Sequence, residues 1–313
     1  MQTRTVGKSG LKVSTLGIGC NNFGGRLDEA ASAAVVHAAL DHGVTHFDTA
    51  DVYPMGAGGA SEQYLGNALG KRRNEAVIAT KFGMRMGEGL IGGSRRYLIQ
   101  AVEDSLTRLG TDHIDLMYLH KPDPQTPIEE TLGALDDLIH AGKIRYIGCS
   151  NLKAWQIAEA HFVARELGVN RFVCTQDQYS LLARDVEDEV IPACDHLGLG
   201  LVPFFPLASG VLSGKYQTGK PAPDGTRLAK SQPLADMFMT DANLATADRL
   251  AVVAKSNDKT LLDLAFAWLL ANPAVPSVIA GASTPDQVAR NAEAVAWDVP
   301  ADVMDAVGEI LMT

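Results

Sequence analysis

The chain has 313 residues, 46% hydrophobic and 20% charged, which is the balance of a globular protein and excludes a disordered or fibrous one. Its formal net charge of -10 argues against nucleic acid or an anionic membrane as partner, since both reward a basic face, and leaves a small molecule as the expected ligand. The length suits one α/β barrel, so a single domain over residues 1–313 is expected.

The first fourteen residues, MQTRTVGKSGLKVS, carry neither the apolar core nor the cleavage site of a signal peptide, and no apolar run is long enough to span a bilayer. A cytoplasmic location is the expectation. Thr3 to Ser14 forms two short runs about a Gly/Ser turn and predicts a β-hairpin at the bottom of the fold. Thereafter β-like runs alternate with stretches of helical period. In chain order the predicted strands are Leu16–Gly19, Thr45–Asp48, Val77–Thr80, Ile114–Leu119, Ile144–Cys149, Phe172–Thr175, Gly200–Pro203 and Ser277–Ala280. Between and after them come the predicted helices Glu29–His42, Glu62–Gly70, Arg95–Leu109, Ile128–Ala141, Ala154–Leu167, Glu187–Leu197, Leu261–Leu270 and Pro285–Ala294, with Ala301–Met312 as a terminal cover.

Boundary residues agree with several of these elements. Ser61 with Glu62 and Gln63 gives a cap-like start, Pro127 precedes the acidic first turn of Glu129 and Glu130, and Gly142 stops that helix. Residues 208–244 have no clear period and predict a long binding or lid loop after strand seven. Eight strands, each followed by a helix, favour a (β/α)8 TIM barrel over an open doubly wound sheet. Cys20, Cys149, Cys174 and Cys194 show no metal or disulfide spacing and are expected to be small buried apolar residues.

Asp48, Lys81 and His120 fall at or just past the ends of strands two, three and four, and Tyr53 lies on the loop after the first of these. A parallel barrel brings such positions to one rim, where active sites form. The chemistry is compatible: a lysine ammonium can lower the pKa of a tyrosine, an aspartate can hold that lysine charged, and a histidine can bond the phenol or a substrate oxygen. Singly, each residue is as well explained by capping, packing or solvation; together they predict an acid/base site. His37, His42, His113, His140, His161 and His196 lie in or beside helices and read as structural.

The blocks GLKVSTLGIGCNNFG, HFDTADVYPMGAGGASEQYLGNAL, VIATKFG, IDLMYLHKPDP, GKIRYIGCSN and FFPLASGVLSGKY resemble, in order and over nearly the whole chain, the aldo-keto reductase superfamily, in its potassium-channel β-subunit-like branch. The resemblance implies NADPH-dependent reduction of aldehydes and ketones, reversible to alcohol oxidation, with Asp48, Tyr53, Lys81 and His120 as the catalytic tetrad and Tyr53 as general acid.

No complete dinucleotide fingerprint or Walker loop is present: the run from Gly17 to Asn22 lacks a third glycine, and Gly210 to Lys215 is one residue short. The resemblance instead assigns Ser150, Asn151 and Gln176 to the nicotinamide amide, Phe204 to stacking on the ring, and Phe205, Leu207, Ser209, Gly210 and Lys215 to the pyrophosphate. It assigns Gly281, Ser283, Thr284, Gln287 and Asn291 to the adenosine end, where Pro285 starts a helix whose first N–H groups could face phosphate. Many family members place a lysine ahead of that serine and an arginine where Gln287 stands; with Gly281 and Gln287 neutral here, NADPH is expected and NADH is the alternative. Phe23, Val52, Phe82 and Met84 are expected to shape the substrate pocket.

Two other classes compete. One is a metal-dependent hydrolase using His46, Asp48 and His120, disfavoured because the usual HxH pair is missing. The other is a non-catalytic nucleotide-sensing or regulatory subunit that keeps the tetrad. The expected partner is a small carbonyl or alcohol substrate, with no nucleic acid, no membrane and a monomeric state by family habit.

Overall fold

Strands covered on both faces are mostly apolar, and the run Ile114–Leu119 fits that pattern with every residue buried and its one charged member, Asp115, paired with Arg73. The computed structural model describes residues 1–56 and 58–312. Strands β1 (Thr3–Thr5) and β2 (Lys12–Ser14) pair antiparallel, Thr3 opposite Ser14, as the hairpin reading predicts. There follow β3 (Leu16–Gly19), α1 (Glu29–Asp41), β4 (His46–Asp48), α2 (Ala60–Leu69), β5 (Val77–Phe82), α3 (Arg95–Leu109), β6 (Ile114–Leu119), α4 (Ile128–His140), β7 (Ile144–Ser150) and α5 (Ala154–Leu167). The chain continues through β8 (Cys174–Gln178), α6 (Val190–Leu197), β9 (Gly200–Phe204), α7 (Gln232–Phe238), α8 (Asp241–Lys255), α9 (Leu261–Ala271), β10 (Val278–Ala280), α10 (Pro285–Ala294) and α11 (Ala301–Leu311).

The eight later strands are parallel in the order β10-β3-β4-β5-β6-β7-β8-β9. At the remaining seam the Leu201 N–H donates to the Ala274 carbonyl at 2.7 Å, just ahead of β10, so the sheet forms a nearly closed TIM barrel. Val6, Leu11 and Val13 from the hairpin pack with Ala79, Leu116, Cys174, Val202 and Ile279 from five different strands. The hairpin turn at Gly7 sits against the backbone of Val173 and Gly198, at the amino ends of β8 and β9, so it plugs the end opposite the rim. The larger core lies between the strands and the surrounding helices.

Three expectations are corrected. Ser61 does not cap α2: the N-cap is Gly59, and the Ser61 hydroxyl donates instead to the Cys20 carbonyl at 2.7 Å while bonding Thr49 Oγ1 at 2.8 Å, which ties the helix to the barrel wall. The helix expected from Glu187 is a 3-10 turn (Asp185–Glu187) followed by α6, which places Pro192 in the first helical turn, where its missing N–H is tolerated. The aperiodic stretch holds a 3-10 turn (Ala208–Ser213), α7 and the start of α8, so it is less of a loop than its composition suggests. Thr240 caps α8 by accepting from the Asn243 N–H.

Candidate active site

Register carries the four polar residues of the first half to one place. Asp48 ends β4 opposite Ala79, Lys81 is the next-to-last residue of β5 opposite Tyr118, and His120 follows β6, with its N–H donating to the Phe82 carbonyl at 2.9 Å. Lys81 is fully buried, and its Nζ donates to Asp48 Oδ2 at 2.6 Å and to the Thr49 carbonyl at 2.7 Å. The same Nζ lies 5.1 Å from the Tyr53 ring centroid. The Tyr53 and His120 rings meet edge to face, with centroids 5.7 Å apart. Backbone bonds fix the Tyr53 loop from both sides: the Asp51 N–H donates to the Lys81 carbonyl at 3.0 Å, and the Ser61 N–H to the Tyr53 carbonyl at 3.0 Å.

Burial sets the electrostatics. It disfavours the Lys81 ammonium, but the Asp48 carboxylate with its hydrogen bond, joined by Tyr53, leaves the lysine pKa raised and the group charged. Burial raises the Tyr53 phenol above its ordinary value, with Lys81 pulling the other way without prevailing. The expected lowering is therefore present as an influence and absent as a net result, because desolvation of a phenolate outweighs one ammonium already paired with Asp48. His120 is pushed down to about 2 by burial and by the charges of Lys81 and Lys121, so its ring is neutral.

The residues assigned to a nicotinamide amide also converge. Ser150 Oγ donates to the Gln176 carbonyl at 2.7 Å, and Asn151 Nδ2 donates to Ser150 Oγ at 2.8 Å and to the His120 carbonyl at 3.1 Å. Gln176 Nε2 donates to Asp48 Oδ1 at 2.7 Å, so the two halves of the rim share one network. Phe204 is half-buried at the end of β9, edge to face with Phe205. Beyond it, Phe205, Ala208, Ser209 and Gly210 all have positive φ (53°, 46°, 54° and 100°), Leu207 lies between them, and Ser209 Oγ is buried without a partner. Within this tight turn the Ala208 N–H donates to the Phe205 carbonyl at 2.8 Å and the Gly210 N–H to the Leu207 carbonyl at 2.7 Å, which leaves the Ser209 hydroxyl as the open polar group of the run. Lys215 reaches back over Gly210.

At the adenosine end Gly281 borders open space and Asn291 is buried. Two of the donors expected to face phosphate are already engaged: the Ser283 N–H donates to Gln287 Oε1 at 2.7 Å, and the Gln287 N–H to Thr284 Oγ1 at 3.3 Å. The pocket expectation changes as well, because Phe23 and Phe82 are fully buried in the main core and cannot line a cavity; Val52 is nearly buried and Met84 half-buried. The orphan Ser209 hydroxyl, with Lys215 beside Gly210, does fit a bound dinucleotide.

Sequence reasoning missed three contributors. The Thr49 carbonyl is a backbone atom with no residue-type signal. Arg227, within the aperiodic stretch, stacks its guanidinium 5.1 Å from the Phe205 ring centroid; burial lowers its pKa and Arg26 lowers it further, and Lys215 is lowered by burial and by both arginines. Asp177, next to Gln176, accepts the Asn151 N–H at 3.0 Å; its acidic type on a buried strand was the available signal. For the hydrolase reading the geometry is adverse: both Asp48 oxygens are engaged, His46 Nδ1 bonds Ser277 Oγ at 3.0 Å, and among the described residues no group of three or more His, Cys, Asp or Glu could hold a metal.

The family model for the aldo/keto reductase family matches residues 15–312. A probable voltage-gated potassium channel subunit beta of Arabidopsis thaliana is 40% identical over 302 residues, covering 94% of this chain and 91% of the relative. A protein of the same description from Oryza sativa subsp. japonica is 39% identical over 302 residues with the same coverage.

Proposed function

The chain belongs to the aldo/keto reductase family, and from that membership we propose that it reduces aldehydes or ketones to alcohols with NADPH, using Asp48, Tyr53, Lys81 and His120. The observation that carries this reading is the buried Lys81 ammonium, clamped by Asp48 Oδ2 and the Thr49 carbonyl directly beneath the Tyr53 ring. A charge held so deep, beside a phenol and a neutral imidazole, suits proton delivery to one oxygen atom.

A reduced nicotinamide held at this rim would supply the hydride for the carbonyl carbon. Tyr53 donates its phenolic proton to the carbonyl oxygen as negative charge develops there. Its raised pKa keeps that proton in place at neutral pH, ready for transfer. Lys81 stabilises the phenolate left behind, and Asp48 keeps Lys81 charged and in position. His120, being neutral, offers a hydrogen bond to the substrate oxygen without adding a second cation. Ser150, Asn151 and Gln176 would hold the amide of the nicotinamide, Phe204 its ring, and Phe205, Leu207, Ser209, Gly210 and Lys215 the pyrophosphate. Arg26 and Arg227 join Lys215 as cations that form no ion pair among the described residues and so remain available to phosphate. Gly281, Ser283, Thr284, Gln287 and Asn291 would take the adenosine end.

The test follows NADPH absorbance with a nitrobenzaldehyde. Turnover is expected in the wild type, with NADPH preferred over NADH, and Tyr53→Phe should lose at least 100-fold in turnover while still binding cofactor, about the weight of one general acid. Undiminished activity in that variant removes Tyr53 as the acid. The names of the two plant relatives favour a second reading, a nucleotide-sensing subunit of a larger assembly. Tight NADPH binding with no turnover of any carbonyl offered would support it.

A further inference from the structure

Asp177 is nearly buried on β8 and forms no ion pair among the described residues. The titratable groups facing it are the thiols of Cys149 on β7, Cys174 on β8 and Cys194 on α6, none of which offers a positive charge. Its carboxylate is held by two hydrogen bonds: Oδ1 accepts the Asn151 N–H at 3.0 Å and Oδ2 accepts Thr175 Oγ1 at 2.5 Å. Both oxygens act as acceptors, which only the ionised form provides in full. An isolated buried carboxylate is costly, and burial accordingly raises Asp177 to about 6. That cost is borne at a single useful place, the N–H of a residue with unusual backbone.

Asn151 has φ of 62°, a left-handed conformation that is uncommon for a residue with a side chain, that asparagine takes more readily than most, and that the hydrogen bond from its N–H to Asp177 holds in place. In that pose its Nδ2 reaches both the His120 carbonyl and Ser150 Oγ. One carboxylate thus fixes the turn that sets two of the amide-holding residues and the main chain of His120.

We propose that Asp177 is a positioning residue: its ionised carboxylate pins the left-handed turn at Asn151, and through Asn151 it sets the nicotinamide subsite and His120 for the reaction. The inference rests on the reductase reading, since it presumes that a dinucleotide occupies this rim. Protonation neutralises the carboxylate and weakens the bond that Oδ1 accepts from the Asn151 N–H, which slackens the turn, so cofactor affinity falls as pH drops through the range where Asp177 titrates.

The experiment measures NADH affinity by nicotinamide fluorescence on the full chain from pH 8 to pH 5.5; NADH is used because the 2′-phosphate of NADPH itself titrates near pH 6. The wild type should weaken several-fold over this range. Asp177→Asn, which keeps one acceptor toward the Asn151 N–H, should bind at pH 8 as the wild type does at pH 5.5 and stay level throughout. A purely structural role would lower affinity in the variant without flattening its profile. If Asp177→Asn does not fold, Asn151→Gly serves instead: glycine accepts the left-handed backbone, the side-chain link is cut, and the same flattening is expected. Parallel profiles in wild type and variant overturn the inference and leave the reductase reading intact. Failure of the wild type to bind either dinucleotide at any pH overturns both.

Discussion

At the scale of single residues the site turns on one buried charge pair. Asp48 and Lys81 are 6% and 1% exposed at their side chains, so neither has water to fall back on if the other is removed. Asp48→Ala would strand the Lys81 ammonium and the Gln176 amide together, and a loss of roughly 3–5 kcal/mol in unfolding free energy is expected by urea titration. Replacing both as Asp48→Leu with Lys81→Met should recover most of that loss while abolishing turnover, because an apolar pair of similar volume leaves no unpaired ion. A double variant as unstable as Asp48→Ala would show that the pair itself stabilises the fold, against the view that it is kept for chemistry. All four polar residues were legible in the sequence because Asp48, Lys81 and His120 stand at or just past the ends of β-like runs and Tyr53 lies on the loop after the first of them. The groups that complete their environment were not: the Thr49 carbonyl and the Gln176 link to Asp48 arise from closing the barrel, which brings residues 128 positions apart into contact.

Elements were legible where one face is apolar and opaque where packing overrides local pattern. The strands β3 to β7 show through their buried runs. β8 is displaced two residues later than expected, because its ladder runs on through Gln176, Asp177 and Gln178, polar residues that serve the rim and that hydrophobicity does not flag. Helix α8 was hidden because its buried residues Leu244, Ala247, Leu250 and Ala254 are accompanied by Val252 on the solvent side, 69% exposed, which blurs the period. Helix α2 offers a test of packing against propensity. Gly66 lies within it, and an added Cβ would come 2.2 Å from the Leu109 carbonyl oxygen at the end of α3, a backbone atom that cannot turn aside. Gly66→Ala should therefore destabilise by about 1–3 kcal/mol in thermal or urea unfolding, although alanine is intrinsically the better helix former by about 1 kcal/mol. A gain in stability would show that α2 and α3 can part without cost, and with them the anchor of the Tyr53 loop through Ser61.

For the whole molecule, buried titratable groups of opposite kind balance one another. Asp177 is raised to about 6 and Asp51, buried beside Glu62 and only partly offset by Arg108 and Tyr97, to about 7. A carboxyl raised in the folded state adds stability that is full below its unfolded value near 4 and is lost as pH rises through the folded one. Burial lowers His46 to about 4 and His120 to about 2, and it lowers the partly exposed His161 in the same sense. A histidine lowered in the folded state works in reverse: its stability is full above the unfolded value near 6.5 and is lost as pH falls below it. Between about pH 4.5 and 6 the folded chain carries two extra protons on Asp51 and Asp177, while the unfolded chain carries two extra on His46 and His120, so these four contributions cancel. In the wild type stability should therefore rise only gently there, with the slope that His161 leaves unbalanced. In Asp51→Asn with Asp177→Asn the histidine side stands alone, and stability should rise with pH by roughly 1.4 kcal/mol per unit for each histidine. Urea midpoints taken at half-unit steps distinguish the two cases. Parallel profiles for the wild type and the double variant would mean that Asp51 and Asp177 are already ionised in the folded chain, each with a partner that offsets its burial.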